Sequence, residues 1–253
     1  MILSGNTILI TGGSTGIGLA LAERFLKENN KVIIVGRREE KLSAAKKKFP
    51  QLYTRVCDVS NESERQALVK WTHNKFPDLN VLINNAGIQQ RINLLRPIDN
   101  WDDYRKEVSI NMDAPIHLSM LFIPHLMKKK NATIINVSSG LAITPGAWVP
   151  VYSATKAGLH SFTTSLRLQL SKININVIEV FPPAVNTDLG GAGLHDFGVP
   201  LDEFTDAVFK GVRNGDIEIG YGGTENRLCA SRDEIVQQTK QIWKTFLTND
   251  PTF

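Results

Sequence analysis

The stretch TILITGGSTGIGLALAERF, residues 7–25, combines three patterns that together predict how the chain folds. An apolar, β-branched run predicts a buried strand, a glycine-rich turn follows it, and apolar residues then recur every three or four positions. That spacing is typical of an amphipathic helix that packs one face on a sheet. The sequence therefore predicts a β-turn-α unit with the turn at the helix N-terminus.

Three glycines in this turn have the spacing G-x-x-x-G-x-G, which is close to the G-x-G-x-x-G dinucleotide fingerprint but not identical to it. Without side chains they would let the backbone approach a pyrophosphate, whose charge the helix N-terminus attracts. The pattern alone is weak, and an ordinary turn is the alternative, but its place after the first strand favours dinucleotide binding. The predicted binding residues of this segment are Gly12, Ser14, Thr15, Gly16, Ile17 and Gly18.

Similar units repeat along all 253 residues, and no linker or composition shift interrupts them. Apolar runs at 7–11, 31–36, 53–59, 80–87, 132–139, 173–181 and 217–221 alternate with helical patterns. Strands that are apolar throughout indicate a parallel sheet covered on both faces. We therefore predict an α/β fold, a Rossmann-like doubly wound domain over 1–253, with a seven-stranded parallel sheet and helices on both faces.

Two segments depart from this alternation. Residues 182–200 are rich in glycine and proline and lack a period, which is typical of a loop over a site. Near the end, Ser231 and Glu234 have the spacing of a capping box, so a last amphipathic helix is expected at about 231–247. It could cover a pocket or join a subunit interface.

Composition excludes several classes of protein. A formal charge of +4 without a dense basic block argues against nucleic acid, and no run is apolar enough for a membrane span. The N-terminus lacks the features of a signal peptide, so we expect a cytoplasmic protein. Cys57 and Cys229 are expected to be reduced, buried thiols. The five histidines show no metal-ligand spacing, so no metal site is predicted.

The end of the second strand bears on the choice of cofactor. Where an acidic residue would bind a ribose 2′-hydroxyl, this chain has Gly36, Arg37 and Arg38. A guanidinium pairs with a 2′-phosphate, so NADP(H) is favoured and NAD(H) is the second choice. The alternative is that both arginines only decorate the start of the next helix.

Five separated motifs now occur in one order: TGGSTGIG, NNAG at 84–87, INMDAP around Asn111, INVSSG around Ser139, and YSATK at 152–156. In this order they resemble the short-chain dehydrogenase/reductase family, in its short single-domain branch, over residues 3 to about 187. The resemblance implies an enzyme that moves hydride between a nicotinamide cofactor and a small carbonyl or alcohol. It also implies a homodimer or homotetramer, paired through the helices that hold Asn111 and Tyr152.

The resemblance places the catalytic residues at Asn111, Ser139, Tyr152 and Lys156. Tyr152 would be the general acid and base, and Lys156, one helical turn later, would lower its pKa toward working pH and hold the nicotinamide ribose. Ser139 would donate to the substrate oxygen, with Ser138 as the competing serine. Asn111 would anchor a proton relay, the alternative being a purely structural amide.

Further cofactor contacts are implied by the same resemblance. They are Asp58 and Val59 beside the adenine, Asn84, Ala86 and Gly87 at the fourth strand, and Pro182, Val185 and Thr187 near the nicotinamide. Asn84 could equally tie strands together. Pro183 stands where the family usually has glycine, which leaves the path of this loop open.

The segment between Ser139 and Tyr152 offers an apolar pocket wall through Leu141, Ile143, Trp148 and Val149, with simple loop packing as the alternative. An enzyme of this class is favoured over a cofactor-binding regulator or scaffold without turnover, because both the tyrosine and the lysine are present. A nucleotide-sugar epimerase is disfavoured, because few residues follow Thr187 to build a substrate domain.

Overall fold

A computed structural model of the chain describes residues 1–96 and 100–253. Seven parallel strands form one sheet in the order β3-β2-β1-β4-β5-β6-β7, which confirms the predicted fold. The strands are β1 (Thr7–Thr11), β2 (Lys31–Gly36), β3 (Tyr53–Val56), β4 (Val81–Asn84), β5 (Ala132–Val137), β6 (Ile175–Phe181) and β7 (Glu218–Gly220).

Helices cover both faces of this sheet and bury two separate apolar cores. The α-helices are α1 (Gly16–Lys27), α2 (Glu39–Lys48), α3 (Glu62–Lys75), α4 (Trp101–Val108), α5 (Ala114–Leu126), α6 (Pro150–Leu170), α7 (Leu201–Asn214), α8 (Thr224–Arg227) and α9 (Arg232–Asn249). Phe25 of α1 and Phe204 of α7 pack on one face, and Phe122 of α5 and Leu166 of α6 on the other. A doubly wound sheet results, because each crossover helix buries its apolar stripe against the strands.

Several strands end earlier than the apolar runs predict. Residues 57–59, 85–87 and 138–139 leave the sheet after β3, β4 and β5 and continue as loops at its carboxyl edge. Strand order reverses between β1 and β4, so a crevice forms there beyond the strand ends. Ligands of doubly wound sheets bind at this kind of switch point.

The helical segment from Trp101 to Leu126, which holds Asn111, changes its form in the middle. Residues Ser109–Asp113 form a π-helical turn between α4 and α5. A π-helical turn contains one residue more than an α-helical turn, and it is frequent at functional sites. Asn111 lies within it.

The C-terminal region shows one confirmed detail and one correction. Ser231 and Glu234 form both hydrogen bonds of the predicted capping box at the start of α9. Cys57 is buried, but Cys229 is exposed, so the expectation of two buried thiols is wrong for Cys229. Cys229 lies in the connection between α8 and α9, and α9 has no buried residue, so the thiol has no core to enter. Among the residues described, no helix has the length and apolar character needed to cross a membrane.

Candidate active site

A cavity of about 1280 Å³ runs along the carboxyl edge of the sheet. The glycine turn after β1, the loops that follow β2 to β6, and the end of α9 contribute to its wall. Most residues predicted to bind a cofactor line this cavity, and three of the predicted site residues, Gly18, Asn84 and Asn111, lie outside its lining.

The glycine turn lies closely against the end of β4. Gly12 has a φ of +63°, and a Cβ built on it would stand 2.7 Å from Cα of Ala86. Gly18 is instead a packing residue, because a Cβ there would be 2.5 Å from the carbonyl oxygen of Gly12. Thr187 lies over Gly16, with Cγ2 at 3.5 Å from a Cβ built there. The turn therefore leaves backbone, and no side chain, facing the cavity at Gly12.

One end of the cavity, after β2 and β3, is cationic. Arg37 and Arg38 line it together with Lys41, which sequence reasoning missed. Lys41 lies in the first turn of α2, three positions after the N-cap residue Arg38, and this spacing was the available signal. Asp58 and Val59 also line this end, and the carboxylate of Asp58 accepts hydrogen bonds from the amide and hydroxyl of Ser60 at 2.9 and 2.7 Å.

The two asparagines at the end of β4 have different positions. Asn84 is buried and donates through Nδ2 to Oδ1 of Asn136 at 2.9 Å and to Oγ of Ser119 at 3.2 Å. Asn84 therefore ties β4 to β5 and α5, which is the structural alternative. It does not line the cavity, so the cofactor contact predicted for it is not observed. Asn85 lines the cavity instead, and its Nδ2 donates to the carbonyl oxygens of Thr11 and Gly12.

Ser139 and Tyr152 come together at the middle of the cavity. Tyr152 lies in the first turn of α6, which starts at Pro150, and is 5% exposed. Burial raises the pKa of Tyr152 to about 12, and interaction with the hydroxyl of Ser139 acts to lower it. The competing serine, Ser138, donates its hydroxyl to the carbonyl oxygen of Val180 at 3.2 Å. The phenol is therefore held in its protonated form beside Ser139.

Lys156 lies one turn further along α6, with Nζ 5.6 Å from the centre of the Tyr152 ring. The ammonium group donates to the carbonyl oxygen of Val137 at 2.9 Å. Burial lowers the pKa of Lys156 to about 8, although Glu179 and Glu107 act to raise it. The pKa of Tyr152 is therefore raised and not lowered, contrary to the prediction, because burial of the phenol is the largest cause of its shift and Lys156 is not among the groups that act on it.

Asn111 is fixed by the backbone of the loop that follows β4. Its Oδ1 accepts from the amide of Ile88 at 2.9 Å, and its Nδ2 donates to the carbonyl oxygen of Ile88 at 2.8 Å. The amide is thus satisfied, which removes the cost of burying it. A Cβ built on Gly87 would stand 3.4 Å from Oδ1 of Asn111 and 3.7 Å from Nζ of Lys156, so this glycine separates the two groups.

A buried carboxyl that sequence reasoning missed lies behind these residues. Glu107 is fully buried at the end of α4, where Oε1 accepts from the amide of Gln90 at 3.1 Å. Its Oε2 has no hydrogen-bond partner within residues 1–96 and 100–253. Burial raises the pKa of Glu107 to about 7, and its charge acts on both Tyr152 and Lys156. Its setting in the charged stretch WDDYRKEV gave no sign of burial.

The opposite end of the cavity is apolar and aromatic. Of the four residues predicted for this wall, Leu141 and Trp148 line it and Ile143 and Val149 do not. Ile242 and Phe246 of α9 contribute from the C-terminal side. Phe253 packs edge-on against Phe246, with 5.0 Å between ring centroids. Residues 242–253, here called the C-terminal arm, therefore lie over this end of the cavity.

Of the histidines, His195 lines the cavity, whereas His73, His117, His125 and His160 lie outside its lining. His160 pairs with the buried carboxylate of Glu179 through Nδ1 at 3.0 Å, and this contact raises the pKa of His160. His73 stacks on His125, with 4.5 Å between ring centroids. Over the part of the chain that the structure describes, no group of three or more potential ligand side chains is placed to hold a metal ion.

Comparison with known proteins agrees with this geometry. Residues 6–195 match the family model for short chain dehydrogenase. The uncharacterized oxidoreductase DltE of Bacillus subtilis is 45% identical over 247 residues, which cover 96% of this chain and 98% of that protein. The chain therefore belongs to the short-chain dehydrogenase family and is an oxidoreductase.

Two solved structures share the fold at low sequence identity. A short chain dehydrogenase from Burkholderia cenocepacia, in complex with NADP, has a TM-score of 0.82 at 24% identity and covers 94% of this chain and 99% of its own. A short chain dehydrogenase/reductase from Burkholderia phymatum, in complex with NAD, has a TM-score of 0.85 at 19% identity and covers 94% of this chain and 96% of its own.

Proposed function

We propose that this protein transfers hydride between NADP(H) and a small carbonyl or alcohol substrate, with Tyr152 as general acid and base. The observation that carries the proposal is the position of the Tyr152 phenol beside Ser139 and Lys156, in a cavity that also borders the glycine turn. The nicotinamide supplies or accepts the hydride when it is bound.

The residues of the chain supply the proton and hold the substrate oxygen. With a pKa of about 12, Tyr152 is protonated at neutral pH and gives its proton to the developing alkoxide during reduction. The hydroxyl of Ser139 donates to the same oxygen, which stabilises charge as it forms. Lys156 places a cation beside the phenol and stabilises the phenolate that remains.

The residues that line the cavity fit a dinucleotide. Gly12 leaves open backbone where any side chain would collide with Ala86, and α1 begins at Gly16 in the same turn. Arg37, Arg38 and Lys41 line the end where a 2′-phosphate would lie. Three cations favour the phosphorylated cofactor, because guanidinium groups form strong, charge-assisted hydrogen bonds with phosphate. We therefore favour NADP(H) over NAD(H).

The test is oxidation of NADPH, and separately of NADH, in the presence of a panel of aldehydes, ketones and diketones. The proposal predicts turnover with at least one carbonyl class and a lower KM for NADPH than for NADH. Tight NADPH binding, measured by fluorescence, without turnover on any substrate would instead favour the cofactor-binding regulator.

The same proposal includes a homo-oligomer formed through α5 and α6. Met120 of α5 is 61% exposed and Leu168 of α6 is 71% exposed, so both helices present apolar side chains to solvent. Size-exclusion chromatography with light scattering should give a dimer or tetramer. Met120→Glu with Leu168→Glu should shift that mass toward the monomer, and an unchanged mass would place the interface elsewhere.

A further inference from the structure

One cationic side chain in the cavity has no role in the account above. Arg227 ends α8 and lines the cavity, and α8 is held by Thr224, whose hydroxyl donates to the carbonyl oxygen of Phe181 at 2.7 Å. A Cβ built on Gly140 would stand 3.1 Å from Nη1 of Arg227. The guanidinium therefore lies against the residue that directly follows Ser139.

The guanidinium of Arg227 has no hydrogen bond or ion pair with any residue that the structure describes. The nearby carboxylate of Glu225 accepts from the amide of Gly223 at 3.0 Å. Burial lowers the pKa of Arg227 below its ordinary value. The cost of removing this charge from water is therefore not offset by contacts within the chain.

The other cations discussed at the cavity either have a hydrogen-bond or salt-bridge partner or lie at its other end. Arg91 pairs with Asp250 at 3.3 Å, and Lys156 donates to Val137. Arg37 and Arg38 lie at the far end, after β2. Arg227 is thus a half-buried arginine that lines the cavity next to the proposed reaction centre and has no partner among the residues that the structure describes.

We propose that Arg227 binds a carboxylate of the substrate, and that the preferred substrates are short oxo acids. This inference rests on the proposed function. A guanidinium binds a carboxylate through two parallel hydrogen bonds, a geometry that lysine does not reproduce. Gly140, which the guanidinium contacts, directly follows Ser139, and adjacent Cα atoms are about 3.8 Å apart. A substrate with its carboxylate on Arg227 and its carbonyl at Ser139 therefore has only a few bonds between the two groups.

The test compares 4-oxopentanoate with its neutral methyl ester as substrates for NADPH-dependent reduction. Wild type should prefer the acid roughly 10- to 100-fold in kcat/KM, the range of a charge-assisted hydrogen-bonded pair. Arg227→Gln should remove that preference through KM for the acid and leave the ester unchanged, and Arg227→Lys should restore part of it. Arg232→Gln, at an exposed position outside the cavity, is the matched control.

Equal rates for acid and ester in wild type, or an equal loss for both in Arg227→Gln, would overturn the inference. If no carbonyl compound of the panel is reduced, the proposed function has failed, and binding decides the role of Arg227 separately. Calorimetry with pentanoate in the presence of NADP⁺ should then show binding to wild type and none to Arg227→Gln. Equal binding to both proteins would overturn the inference independently of turnover.

Discussion

The ring of Phe246 stacks on that of Trp148, with 4.7 Å between centroids and 4° between planes. This contact joins the C-terminal arm to the loop between β5 and α6. Arg91 adds to it, with its guanidinium 5.4 Å from the centre of the Phe246 ring and a salt bridge to Asp250. The arm thus closes the apolar end of the cavity through the contacts of Phe246 with Trp148 and Arg91.

We predict that Phe246→Ala raises KM for apolar ketones roughly two- to tenfold, because an aromatic pair contributes about 0.5–1.5 kcal/mol beyond its buried area. The value of kcat should change less, since Phe246 lies away from Tyr152 along the wall. Steady-state kinetics with a series of alkyl methyl ketones measures this. Leu247→Ala, an exposed neighbour outside the cavity, is the control, and an equal effect in both variants would contradict a role in substrate binding.

The cationic end of the cavity gives a second prediction. Arg37→Gln with Arg38→Gln should raise the Kd of NADPH roughly 10- to 100-fold and leave that of NADH within about twofold, because only NADPH carries the 2′-phosphate. Fluorescence titration measures both constants. Lys48→Gln, exposed at the end of α2 and outside the cavity, should change neither. An equal loss of affinity for NADPH and NADH would mean that the arginines only stabilise the fold.

Glu107 gives a prediction about pH and stability. Its pKa is about 7 in the folded protein and 4.5 as the ordinary value, so the folded state holds the proton more tightly. The contribution of Glu107 to the free energy of unfolding is fully present below pH 4.5 and is lost as pH rises through about 7. Glu107→Gln should therefore gain stability relative to wild type between pH 5 and pH 8, by up to ~3 kcal/mol.

Chemical denaturation at a series of pH values measures this difference. Glu40→Gln, at an exposed position, should track wild type at every pH. A difference between Glu107→Gln and wild type that stays constant with pH would show that Glu107 does not titrate in this range.

Asn84 gives a prediction that separates structure from binding. Asn84→Ala leaves Oδ1 of Asn136 without its donor, so it should lower the free energy of unfolding by about 1–3 kcal/mol. The Kd of NADPH should stay within about twofold, since Asn84 lies outside the cavity lining. Thermal melts and fluorescence titration are the two readouts. A large loss of NADPH affinity without a loss of stability would restore the cofactor contact that the sequence predicted.

The sequence was sufficient to predict the sheet and the place of the site. Buried parallel strands are apolar throughout and need crossover helices, so their number and direction are visible in the pattern of residues 7–221. The motifs that end β1, β4 and β5 meet at one edge because all strands run in the same direction. The structure places Ser139, Tyr152 and Lys156 together for this reason.

What the sequence could not predict depends on contacts between distant elements. Asn84 and Asn85 are adjacent and chemically identical, and only the point at which β4 ends decides that Asn84 stays in the sheet facing α5 and Asn85 faces the cavity. The pKa of Tyr152 depends on its burial, which no local pattern reports. Glu107 and Arg227 lie in polar stretches typical of surface helices, and packing against the 85–90 loop and Gly140 brings them inward.

The most direct test of the central claim is the effect of Tyr152→Phe on NADPH-dependent carbonyl reduction, with Tyr53→Phe, outside the cavity, as the control. We expect kcat to fall by roughly 100-fold or more, the contribution of a general acid, while the Kd of NADPH stays within about twofold. Tyr53→Phe should retain wild-type kcat. A Tyr152→Phe enzyme that reduces the same substrate at the wild-type rate would contradict the account, because its proton would then come from another group.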